Sequence, residues 1–197
     1  MKRSKADTAE TRKRIVATAS RLFLARGLAA TGIADVMEAA GLTAGGFYRH
    51  FESKEQLIAE ANRLAFDQLI GMFEDAVAGK APREAIDLIV SRYLNQRQVE
   101  DPVYLCPLAN LGGELEKFDE QVQAAAVSGC ERLVGLLAKQ TAQLEIADPA
   151  GVADAIVSTM VGAVTLSRLA LEPGMAKAIL ANAQNVVTLL LESAPAA

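Results

Sequence analysis

Tyr48, Arg49, His50 and Lys54 fall within one short stretch, and glycines stand at 45 and 46 just ahead of them. The cations, phenol and imidazole can hydrogen-bond to oxygen acceptors, and bare backbone permits close approach. Such a set suits gripping phosphates and base edges better than breaking bonds. His50 is the only histidine, so no Ser/His/Asp or Cys/His set can be assembled elsewhere in the chain. The two cysteines, Cys106 and Cys130, lack CxxC spacing and clustered histidines, which argues against a metal site or a disulfide framework. The pairs Gly45-Gly46 and Gly112-Gly113 are isolated and make no phosphate-cradling loop. Glu114 and Glu116 are expected to face solvent. The residues therefore predict a protein that is not an enzyme and carries no metal or cofactor.

Local periodicity supplies the elements that position this set. Ile33, Val36, Met37 and Ala40 recur at helical spacing, and Gly41 follows, where the chain can turn with positive φ. Thr43 can cap a second helix, whose Phe47 and Phe51 would bury on the first. At about 100° per residue, Gly45, Gly46 and Arg49 then point outward, flanked by Tyr48 and His50. Ser53-Lys-Glu-Gln56 has capping-box spacing and opens a helix through Leu57, Ile58, Ala61, Leu64 and Ala65. The positive end of that helix and the Lys54 charge favour an anion. Upstream, Thr11 to Arg26 places Ile15, Ala19, Leu22 and Phe23 on one face and ends at Gly27, as a supporting helix does.

Charge is distributed unevenly. Residues 1–54 hold ten basic and five acidic side chains, a net of +5, and residues 55–197 carry −9 of the total of −4. The acidic whole thus hides a basic end, and affinity for DNA depends on that local excess. The arm Met1–Asp7 is expected to be disordered in the free protein.

Residues 8–60 resemble the N-terminal domain of the TetR/AcrR family of transcriptional regulators. The resemblance is carried by Ile15-Val-Ala-Thr-Ala-Ser-Arg-Leu-Phe23, Gly27, Ala39-Ala-Gly-Leu-Thr43, Gly45, Phe47-Tyr-Arg-His-Phe51 and Ser53-Lys-Glu-Gln-Leu57. It implies that Thr31, Thr43, Tyr48 and Lys54 hold DNA phosphates and that residues 44–50 read the groove. Two positions depart from the pattern: Ala44 stands where the family often has Lys, and Gly46 where it often has Thr or Ser.

The remaining chain reads as helices over 53–78, 82–99, 105–115, 118–143, 149–171 and 174–193. They are broken near Gly79–Pro82, Asp101-Pro102, Gly112-Gly113, Asp148-Pro149 and Glu172–Gly174. An all-α fold is expected: a three-helix DNA-binding domain over 1–54, and a helical effector-binding and dimerisation domain over 55–197. One long helix from Ser53 past Phe66 to Phe73 would couple them rigidly. Ile156 to Leu171 contains Arg168 and several hydroxyls, so no membrane span is expected. The charged N-terminus has no apolar run of a secretory signal, which predicts a cytoplasmic protein.

Small residues Ala153, Ala155, Ser158, Gly162 and Ala163 would let a neighbouring helix approach closely, and Ile179, Val186, Leu189 and Leu190 form an apolar stripe. Core packing explains either pattern equally well. The resemblance implies instead a homodimer through a four-helix bundle of the last two helices, with Ala155, Gly162, Ala163, Val186, Leu189 and Leu190 at its interface. Such a dimer sets two reading heads on a pseudo-palindromic operator. It further implies a repressor released by a small molecule held within the helices of 53–171. Phe66, Phe73, Tyr93, Tyr104, Asn110 and Met160 are lining candidates, though residues of these types are more often plain core. Cys106, near a helix start, offers an alternative trigger as an oxidant- or electrophile-sensing thiol. A helical carrier or interaction protein without DNA binding is the other class to consider.

Overall fold

The computed structural model describes residues 5–95, 102 and 105–194. Tyr104 and the first four residues of the arm lie outside the described residues. In chain order the described residues form α1 (Lys5–Arg26), α2 (Ile33–Ala39), a 3-10 turn (Ala44–Arg49), α3 (Lys54–Val77) and α4 (Pro82–Leu94). They continue with α5 (Pro107–Leu115), α6 (Glu120–Ala142), α7 (Pro149–Leu169) and α8 (Pro173–Ser193). The all-α expectation holds.

Proline opens four of these helices, at Pro82, Pro107, Pro149 and Pro173, where its missing N–H would be unpaired anyway. Before α7, the Asp148 carboxylate accepts from the Gly151 N–H at 2.9 Å. Gly27 and Gly41, at φ 88° and 72°, let the chain leave α1 and α2 in the left-handed region.

Several boundaries differ from the sequence expectation. α1 begins at Lys5, so Lys5 to Asp7 belong to a helix and not to a disordered arm. Gly112 and Gly113 lie inside α5; the break comes after Leu115. The segment 44–49 is a 3-10 turn, closed by Gly46 N–H to Thr43 O at 3.0 Å and His50 N–H to Phe47 O at 2.8 Å. Gly45 and Gly46 weaken an α-helix there by about 1 kcal/mol each relative to alanine, though Gly112 and Gly113 are accommodated within α5. By length and composition alone α7 and α8 are apolar enough to cross a membrane, with mean hydropathies of 1.5 and 1.2. Arg168 and the hydroxyls dilute α7 too little to change that, and core helices of helical bundles meet the same measure.

The chain packs as two compact units, one of residues 1–68 with 101–129 and the other of 69–100 with 130–197. The division between the two units falls within α3, after Gln68. In the first unit, Ile15, Ala19 and Phe23 of α1, Val36 and Met37 of α2, Phe47, Phe51, and Leu57 and Ile58 of α3 share one core with Leu111 and Leu115 of α5. The second unit buries Phe73, Ile86, Ile89, Tyr93, Leu137, Ile156, Met160 and Val187, with α4 packed on α7 and α8.

Candidate nucleic-acid interface

Phe47 and Phe51 anchor the 3-10 turn from below. Their rings stack at 5.4 Å and both are buried, as their spacing predicts. The Tyr48 ring meets Phe47 edge-on at 5.1 Å yet is 70% exposed, so its phenol is held at the surface on a fixed base. Ala44, Gly45 and Arg49 are exposed beside it, while Gly46 is half-buried and faces the Met37 methyl.

The helix starts around this turn are set by side chains. Ser53 Oγ accepts from the Gln56 N–H at 3.1 Å, and Gln56 Oε1 accepts from the Glu52 N–H at 2.7 Å. The reciprocal cap expected at 53–56 therefore forms one residue wider than the simplest version. Thr43 occupies the cap position of the 3-10 turn without a side-chain cap bond, a correction to the expectation, and the residue is exposed. Lys54 Nζ donates to Leu28 O at 2.9 Å, which uses one of its three donors and leaves the ammonium at the start of α3.

Thr31 is a second correction. Its side chain is fully buried and Oγ1 donates to Gly27 O at 2.8 Å, so it shapes the α1–α2 turn and presents nothing to a phosphate. Arg12 is a third case of a polar group spent internally. Its guanidinium pairs with both carboxylate oxygens of Glu60, donates from Nε to His50 O at 3.1 Å and lies 4.4 Å over the Phe51 ring. The Glu60 hydrogen bond, opposed by burial, pushes the Arg12 guanidinium above its ordinary pKa, so it stays charged at every pH the protein meets. Arg12 thus locks His50 and the end of the reading segment to α1 and α3. No local pattern announced this pair, because its partners are 48 residues apart.

Glu114 is likewise not a solvent-facing acid. Half-buried in α5, it accepts from the Ala29 N–H at 2.7 Å; Glu116 is exposed as expected. Among the described residues of the basic end, Lys13, Arg14, Arg21, Arg26 and Arg49 are exposed and Lys54 is half-buried.

The other sequence candidates are scattered. Phe66, Phe73, Tyr93, Cys106 and Met160 are fully buried, and Asn110 donates to Cys106 O at 2.7 Å. None of them lines the clefts of about 580 and 660 Å³ on the second unit, at the ends of α3 and α6 and beside the α7–α8 turn. Phe66 packs directly on Gly129, where a Cβ would lie 2.1 Å from the ring. Cys106 sits at the start of α5 as placed by sequence, but its burial withholds the thiol from solvent, and burial beside Asp154 and Glu131 pushes the Cys130 thiol up. Among the interface candidates, Val186 and Leu189 are exposed, Ala155, Gly162 and Leu190 are half-buried, and Ala163 is buried.

Residues 15–61 match the bacterial regulatory proteins, tetR family. The chain is 37% identical over 81 residues to the HTH-type transcriptional repressor KstR2 of Rhodococcus jostii (strain RHA1), a match covering 41% of this chain and only 40% of that relative. It is 30% identical over 166 residues to the uncharacterized HTH-type transcriptional regulator Rv0196 of Mycobacterium tuberculosis (strain ATCC 25618 / H37Rv), covering 80% of this chain and 84% of the other. The crystal structure of a TetR transcriptional regulator from Chloroflexus aurantiacus J-10-fl superposes with a TM-score of 0.78 at 29% identity, over 96% of this chain and 98% of the other. With a reading head of this geometry and a relative matched over most of both lengths, the chain belongs to the TetR family of bacterial regulatory proteins.

Proposed function

We propose that this protein is a cytoplasmic, homodimeric transcriptional regulator that binds a pseudo-palindromic DNA operator and is released from it by a small-molecule effector. The observation that carries the reading is the exposed Tyr48, on a turn anchored by buried Phe47 and Phe51, within a segment whose net charge is +5. Thr43, Tyr48 and Lys54 take phosphates, while Ala44, Gly45, Gly46, Arg49 and His50 form the groove-facing segment. Functionally, residues 1–54 read DNA and 55–197 pair and respond. Leu166, Leu169 and Leu189 leave a broad apolar surface on α7 and α8, which supports pairing through those helices. Two heads then meet successive major grooves about 34–36 Å apart. Repression is the sense supported by the Rhodococcus relative, a transcriptional repressor.

Selection of bound sequences from a random pool of duplexes tests this directly. A short inverted repeat should emerge, bound with an affinity that falls steeply with salt. Tyr48→Ala combined with Lys54→Ala should weaken binding by about 10²-fold, on the basis of two contacts of about 1–2 kcal/mol each. Failure of every sequence to enrich at low salt rejects the reading.

A further inference from the structure

We infer that Glu114 of α5 is a positioning residue for DNA reading, a carboxylate that holds the α1–α2 turn in the shape α2 needs. Three consecutive residues of this turn are each engaged by a side chain. Gly27 O accepts from Thr31 Oγ1, Leu28 O accepts from Lys54 Nζ, and the Ala29 N–H donates to Glu114 Oε2 at 2.7 Å. The first two grips come from within the reading head. Glu114 alone among the three arrives from far along the chain, 85 residues after Ala29.

Its other oxygen lies over Gly27. A Cβ at that position would stand 2.7 Å from Glu114 Oε1, and Gly27 adopts φ 88°. The glycine therefore serves two requirements at one place: it lets the chain turn in the left-handed region, and it leaves room for the carboxylate. The hydrogen bond is charge-assisted, which strengthens it although it lies at the exposed surface. Leu111 and Leu115, on either side of Glu114 in α5, are buried in the core that also contains Val36, Met37 and Phe47. The carboxylate is thus fixed by packing, and the turn it fixes leads straight into α2.

The inference rests on the proposed DNA-reading role, and the experiment separates the two. Glu114→Ala and Glu114→Gln are compared with the wild type for thermal unfolding, Ala29 amide exchange by NMR, and binding to the wild-type-selected duplex and to a scrambled one. Glu114→Ala is expected to speed Ala29 exchange about tenfold and weaken the selected duplex about tenfold, with the scrambled duplex within about twofold. Glu114→Gln, which keeps an oxygen acceptor, should recover most of both effects. Unchanged Ala29 exchange in Glu114→Ala overturns the inference. So does equal weakening on both duplexes, or a loss in both variants that merely follows the melting temperature. If the wild type prefers no duplex, the functional reading fails, and Ala29 exchange still decides whether Glu114 holds the turn.

Discussion

Ala44 opens the 3-10 turn with its methyl exposed, one residue after Thr43 and four before Tyr48. Nothing crowds the neighbouring Gly45. A cation placed at 44 would therefore reach a phosphate without disturbing the turn. Ala44→Lys is expected to tighten operator binding and to steepen its dependence on log salt by about 0.9, one phosphate's worth. Fluorescence anisotropy over a salt series reads both, and an unchanged slope would place Ala44 away from the backbone. The same scale shows why counting charge overstates the contacts available. Arg12 counts among the ten basic residues of the first 54, yet Glu60, His50 O and Phe51 already hold it. Thr31 matches the family pattern, but its hydroxyl is spent on Gly27 O.

α3 carries the most information at the scale of elements. Its first turn holds the cap and Lys54, and its middle contributes to the first unit's core. Asn62 interrupts that core. It is buried with neither amide atom hydrogen-bonded within the protein, and it lines a small cavity with Ser20 of α1, whose hydroxyl is also unpaired. Phe23, Leu28, Ile58, Leu111 and Leu115 form the apolar remainder of the cavity wall. An unmade buried hydrogen bond costs about 1–3 kcal/mol. Asn62→Leu, of similar volume, is accordingly expected to raise Tm, by about 2–4 °C per kcal/mol for a chain of this size. Circular dichroism melting tests it. A lowered Tm would mean that an internal water satisfies the amide, as buried waters do in polar cavities of this scale.

At the scale of the molecule, most of the large exposed hydrophobic side chains among the described residues lie on α7 and α8 and the turn between them. Leu169 is 73% exposed and Leu189 61%, with Leu166, Leu171, Met175 and Val186 exposed as well. Exposed apolar side chains gathered in this way mark an interaction surface. Leu169→Glu with Leu189→Glu is expected to yield monomers in analytical ultracentrifugation. Monomers should also bind the operator about 10²–10⁴-fold more weakly, because two heads no longer act at one effective concentration. A dimer that survives both charges would move the interface elsewhere. The proposed regulation adds a further requirement at this scale: an effector must favour one state of the molecule over the other, since equal affinity shifts no population.

Residues near one another in sequence settled the architecture of the reading head. The Phe47/Phe51 spacing, the 53–56 cap, and Gly27 and Gly41 as turning points are consequences of helical periodicity and backbone sterics, which act over four residues or fewer. Helix spans in the rest of the chain were readable for the same reason, apart from their ends and the 3-10 turn. What tertiary structure alone decided was where polar groups are spent. Arg12 meets Glu60 and Glu114 meets Ala29, while Asn62 and Ser20 are left unpaired on one cavity wall, at separations that no local pattern encodes. Hydrogen bonding acts only within about 3 Å. Which distant residues come that close is a result of packing the core, so the sequence shows the groups and the fold chooses their partners.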